Sequence, residues 1–170
     1  MVVALLPLWG ALLGAGKFPV WVLVPAWIVL ARIEQRVLRL SNAYLIASVA
    51  AGAVWWGLGS RALEGAIAAH AIARASMIAL AWTSRPAASG VPLAVSTWEA
   101  LVAISTALLI AFVALDLRPA VAAVAAAYLV VRVVRQWFYR SKGGVDATAL
   151  AIAKGSTEAA VALAATLLSS

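Results

Sequence analysis

Apolar residues run in long stretches near positions 2–15, 18–31, 43–60, 65–84, 94–115, 119–138 and 146–168, and polar residues gather between them. A helix needs about 20 apolar residues to cross a bilayer, so stretches of this kind predict membrane-spanning helices with short connections. The first two are short. Only Lys17, with Pro19 beside it, separates them, which predicts a tight hairpin, a re-entrant pair or one long broken helix. Later breaks combine turn formers with charge: Gly57, Gly59 and Ser60 before Arg61; Arg85-Pro86 through Gly90 to Pro92; Asp116 to Pro119; and Ser141 to Gly144. The expected fold is all-α, a polytopic transmembrane helix bundle of six or seven spans forming one integral membrane domain over residues 1–170.

Composition sharpens this reading. The chain is 66% hydrophobic and 11% charged, with a mean hydropathy of +1.04; a soluble domain is about 45–50% apolar and about a quarter charged. A soluble enzyme domain is thereby excluded, because no soluble core hides so much apolar surface. Cysteine is absent, which removes disulfides and thiolate metal sites. The Met1 to Gly16 stretch lacks the basic start and cleavage pattern of a secretory signal and is expected to stay as an uncleaved first span.

The net charge of +7 points to the lipid bilayer as partner, not to nucleic acid, because the basic residues sit between apolar stretches and no RNA-binding motif accompanies them. Over alternate connections, Arg32, Arg36, Arg39, Arg85, Arg132, Arg135, Arg140 and Lys142 fall on one side, and Lys17, Arg61 and Arg118 on the other. The basic-rich side is expected to be cytoplasmic, with the N-terminus inside, in a prokaryotic cytoplasmic membrane. Trp9, Trp21, Trp27, Trp55, Trp56, Trp82, Trp98 and Trp137 lie toward the ends of runs, as interfacial indoles do. Gly10, Gly14 and the Ala-rich run from Ala120 to Ala127 permit close helix contact and imply packing against other membrane subunits or a second copy.

Ionisable groups inside apolar runs are the candidates for function, since each costs several kcal/mol unless it faces protein, water or a partner. His70 and Arg74 stand four apart on one helical face and are suited either to grip an anion or to bond a neighbouring helix; no carboxylate is visibly paired with His70. Lys154 and Glu158, again four apart, are expected to neutralise each other as an intramembrane ion pair. Arg132, Arg135, Arg140 and Lys142 run into Gly143-Gly144, cations beside flexible backbone that suit a phosphorylated ligand or a cytoplasmic topogenic cluster. The acids Glu34, Glu64, Glu99, Asp116, Asp146 and Glu158 are scattered, so neither a metal site nor a catalytic set is assigned and no cofactor is expected.

The segment from Ala69 through His70, Arg74, Arg85-Pro86 and Gly90, followed by Arg140-Ser-Lys-Gly143-Gly144-Val145 and a helix through Thr157-Glu158-Ala-Ala-Val161, resembles the latter part of cobalamin synthase over roughly residues 65 to 165. That membrane enzyme, adenosylcobinamide-GDP ribazoletransferase, joins a nucleotide to a corrinoid precursor with Mg²⁺. The resemblance implies that Arg74, Arg85-Pro86, Gly143-Gly144-Val145 and Glu158 occupy family positions. The chain departs from the family in two places. Asp146-Ala147-Thr148 stands where the family continues Thr-Gly-Asp, and the earlier aspartate-rich segment has no counterpart, residues 32 to 64 holding only Glu34 and Glu64. The chain is also shorter than the usual member. The expectation is a cobalamin-synthase-like membrane protein without metal-dependent activity of its own, acting as a non-catalytic subunit or as a binder of an anionic nucleotide-like or lipid-like ligand. The alternatives are an active ribazoletransferase using Arg74, Arg85, Arg135, Arg140 and the Asp146 and Glu158 carboxylates, and a structural subunit of a larger membrane assembly.

Overall fold

A computed structural model describes residues 7, 20–37, 42, 45, 63–88 and 95–168. Within them run five helices and no strand: α1 (Val20–Val37), α2 (Leu63–Thr83), α3 (Thr97–Ala114), α4 (Leu117–Lys142) and α5 (Ala147–Leu168). Among the described residues three segments, Gly65–Thr83, Thr97–Ala114 and Leu117–Lys142, are long and apolar enough to cross a membrane. At about 1.5 Å per residue each covers roughly 27 to 39 Å, against a hydrocarbon core of about 30 Å.

Side-chain size decides the packing. The buried positions of α3 are Ala100, Ala103, Ala107 and Ala111, and α4 buries Ala120, Ala123 and Ala127 along its first half. Many large apolar residues of the same helices face outward, with Leu109 66% and Val113 79% exposed, although α4 buries Val134 and Phe138 nearer its end. A water-soluble bundle would invert this arrangement. In a bilayer, lipid tails are as apolar as leucine, so helices associate where small residues let backbones approach. The innermost helix, α2, buries Ala68, Ala69, Ala71, Ile72, Ala73, Met77, Ile78 and Leu80, and packs against both α3 and α5.

Local chemistry sets the helix ends. Ser96 and Glu99 form a capping box at the start of α3, the Glu99 amide donating to Ser96 Oγ at 3.3 Å and the Ser96 amide to Glu99 Oε2 at 3.2 Å. Helix α4 stops at Gly143, whose φ of 70° is left-handed and whose amide donates to the Tyr139 carbonyl. Helix α5 starts under Asp146, which accepts from the Ala149 amide at 2.9 Å.

Two boundaries differ from the sequence expectation. The interval from residue 32, expected as a connection, continues α1 to Val37 and brings Glu34 and Gln35 into the buried interior. An interior cation draws Glu34 inward, which charge counting along the chain does not reveal. Helix α4 likewise runs past residue 138 to Lys142, because no breaker precedes Gly143. The spans expected at 2–15 and 43–60 lie outside the described residues, apart from Pro7 and Leu45, as do Trp9, Gly10, Gly14, Lys17, Arg39, Trp55, Trp56 and Arg61; the side chains of Trp21 and Trp27 are not described either. Trp82, Trp98 and Trp137 are exposed, Trp82 and Trp137 toward the ends of α2 and α4 and Trp98 at the start of α3.

Candidate functional site

The polar residues of the bundle separate into an interior cluster and an end cluster. In the interior, the Arg74 side chain crosses to α1, where its Nε donates to Glu34 Oε1, and its Nη1 donates to the His70 carbonyl at 3.1 Å. Glu158 on α5 is the second anion. Its Oε1 lies 3.0 Å from His70 Nδ1, 3.5 Å from Lys154 Nζ and 3.8 Å from Arg74 Nη1. Every member is at least nine-tenths buried. The spacing of four in both His70/Arg74 and Lys154/Glu158 aligns each pair on one face, and the contact of α2 with α5 sets the two faces together.

This arrangement corrects two expectations. His70 does have a carboxylate partner, 88 residues away in sequence. Lys154 and Glu158 do form the expected ion pair, but Glu158 also serves His70 and Arg74, so the unit is a five-residue network that includes Glu34. Two carboxylates, Glu34 and Glu158, face two cations, Arg74 and Lys154, a balance that permits them inside an apolar bundle. Glu34 was assigned no role by sequence. The chain offers no spacing signal for a pair 40 residues apart. The cluster occupies His70 and Arg74 with protein carboxylates instead of leaving them as an open anion grip.

The second cluster lies where α2 and α4 end. Residues 85–87 run beside 143–145: the Val145 amide donates to the Arg85 carbonyl and the Ala87 amide to the Val145 carbonyl, both at 3.0 Å, giving a parallel bridge between Pro86 and Val145. Gly144 makes this approach possible, since a Cβ there would stand 2.6 Å from the Pro86 carbonyl oxygen and 2.7 Å from the Ala87 nitrogen. Tyr139 anchors the same turn, its hydroxyl accepting from the Arg85 amide at 2.7 Å. The Arg85 guanidinium donates through Nε to the Gly143 carbonyl at 3.0 Å. Arg85 and Arg135 lie 5.4 and 5.3 Å from the Tyr139 ring centroid.

Arg85, Arg135, Lys142, Gly143 and Gly144 thus come together, and Arg140 is exposed on the same final turn of α4. Arg132 stands apart, its guanidinium 6.0 Å from the Tyr128 ring. Tyr139, the residue that joins Arg85 to Arg135, was missed by sequence reasoning; one Tyr among several aromatics gives no signal before the fold is known. Lys142 bonds Asp146 at 2.5 Å. Partial burial works to raise the Asp146 carboxyl, but the Lys142 hydrogen bond and charge and the backbone donors outweigh it and hold the group below the usual carboxylate range.

The resemblance to cobalamin synthase implies Mg²⁺, and the carboxylates among the described residues do not gather to fit one. Glu34 and Glu158 are engaged by cations, Glu99 caps α3, and Asp146 caps α5 while binding Lys142. Among the described residues no three His, Cys, Asp or Glu side chains gather to hold an ion. No protein-family model matches the chain, and no curated protein or solved structure matches it significantly.

Proposed function

We propose that this chain is a cobalamin-synthase-like integral membrane protein of six or seven spans, without metal-dependent activity of its own, that binds an anionic, phosphorylated ligand at the end of the bundle. The observation that carries the reading is the clamp of Arg85-Pro86-Ala87 against Gly143-Gly144-Val145. It gathers two segments that the resemblance links, and it fixes Arg85 and Arg135 beside one tyrosine ring. Guanidinium groups held in this way suit phosphate oxygens, because their donors are oriented before the ligand arrives. The engagement of Glu34, Glu99, Asp146 and Glu158 by other groups of the chain supports binding without turnover, since bringing two phosphorylated substrates together requires a divalent ion to offset their charge.

The basic end carries Arg85, Arg140 and Lys142 and faces the cytoplasm, with the N-terminus inside a prokaryotic cytoplasmic membrane. Other membrane subunits or a second copy complete the assembly, in which this chain serves as a non-catalytic member. The test is equilibrium dialysis of the purified full chain against labelled GDP. Saturable binding, weakened severalfold by Arg85→Ala and by Arg135→Ala but not by Arg118→Ala at the opposite end, is expected. Binding that ignores all three changes refutes the site. Incubation with Mg²⁺, activated cobinamide and the nucleotide substrate is expected to give no product; product above a boiled-protein control would establish the transferase instead.

A further inference from the structure

The three candidate spans do not close on one another along their whole length. Helices α3 and α4 barely touch, and between them, with α2 as its floor, lies a crevice of about 230 Å³. Its walls include Ala79 of α2, Ile104 and Leu108 of α3, and Val124 and Tyr128 of α4. Ile104, Leu108, Val124 and Tyr128 sit near the middles of Thr97–Ala114 and Leu117–Lys142, at the depth of the hydrocarbon core if those helices span the bilayer, and Ala79 lies one turn from the end of Gly65–Thr83. A crevice opening sideways between two spans at that depth meets lipid tails, and its lining is almost wholly apolar.

A cation stands at its rim. Tyr128 lines the crevice while remaining 61% exposed, and the Arg132 guanidinium lies 6.0 Å from its ring. Arg132 is exposed on α4 and has no ion-pair partner among the described residues. It precedes Lys142 by ten residues, about 15 Å along the helix, which sets its Cα beneath the headgroup layer when Lys142 is in water. The Arg132 guanidinium lies beside the Tyr128 ring at the crevice, and its flexible stem lets it turn to the headgroup layer, where a lipid phosphate is the anion the surroundings supply.

We propose that the crevice between α2, α3 and α4 holds one acyl chain of an anionic phospholipid whose phosphate pairs with Arg132. The inference rests on the membrane reading of these helices and is independent of the ligand at the bundle end. Its test uses the full chain in phosphatidylcholine vesicles containing a small fraction of phosphatidylglycerol with a diazirine at the middle of one acyl chain. After illumination, adducts are expected on Ile104, Leu108, Val124 and Tyr128, in preference to Leu109, Val113 and Val121 on the outer faces of the same helices. The same diazirine chain on phosphatidylcholine should label the crevice about fivefold less, the preference one cation gives an anionic lipid, and Arg132→Gln should remove that difference. Ala79→Phe, which fills the crevice from its floor, should lower labelling from both lipids. Even labelling around α3 and α4 means annular lipid only and overturns the proposal. So does an unlabelled crevice, the result expected if another part of the chain or a second copy covers it. Failure of the protein to float with the vesicles would instead refute the membrane reading.

Discussion

Removing Glu158 should be far more damaging than removing Lys154, although the two form a pair. In the native network Glu34 and Glu158 balance Arg74 and Lys154. Glu158→Gln leaves two buried cations facing one carboxylate and takes away the partner at 3.0 Å from His70, 3.5 Å from Lys154 and 3.8 Å from Arg74. Stranding a buried charge in this way costs about 3–5 kcal/mol. Lys154→Met leaves one anion in excess, but that anion keeps His70 and Arg74, and the imidazole beside it can carry a proton; the expected loss is about 1–2 kcal/mol, in the range for an ordinary core change. The double change restores neutrality around Arg74 and Glu34 and should therefore cost less than Glu158→Gln alone, a coupling of about 1–3 kcal/mol. The assay is reversible unfolding of the four proteins in mixed micelles of increasing denaturing detergent, followed by helical circular dichroism. If the two single losses simply add in the double variant, or if Lys154→Met is the more damaging, the charge-balance account of the cluster is wrong.

Other outcomes follow from the end turn and the helix caps. Gly144→Ala should destabilise by about 1–3 kcal/mol, because its new methyl meets backbone atoms of Pro86 and Ala87 that cannot swing aside, whereas Gly155→Ala, with open space around it inside α5, should stabilise by about 0.5–1 kcal/mol; thermal unfolding in detergent compares the two. The Asp146 carboxyl is held below its ordinary range, so its contribution is fully present above the unfolded value of about 3.9 and disappears as the pH falls through the folded value. The gap in melting temperature between the native chain and Asp146→Ala should accordingly be constant from pH 7 to about pH 5 and narrow as the pH falls below about 4; a gap that does not narrow in acid refutes the assignment. Cysteines placed at Ala88 and Lys142 should react with an impermeant maleimide from the same side of the membrane and one at Asp116 from the other; labelling of all three from one side would overturn the spanning arrangement of α2, α3 and α4.

Long apolar runs punctuated by Gly, Pro and charge were enough to mark α2, α3, α4 and α5 to within a few residues, because helices in this class are defined by local composition and by breakers such as Gly143. The two four-residue spacings, His70/Arg74 and Lys154/Glu158, were legible for the same reason: a shared helical face is a property of local geometry. Which faces meet was not legible. The His70–Glu158 contact spans 88 residues and the Arg74–Glu34 contact 40, and neither leaves a trace in spacing or composition. Nor does sequence show that Gly144 is there to admit the Pro86 backbone, or that Tyr139 gathers Arg85 and Arg135. Hydropathy fixes where helices form and which of their residues lipid tolerates. The partner of a buried charge is chosen by helix packing, where alanine faces bring backbones close enough for side chains on separate helices to meet, and only the tertiary structure records that choice.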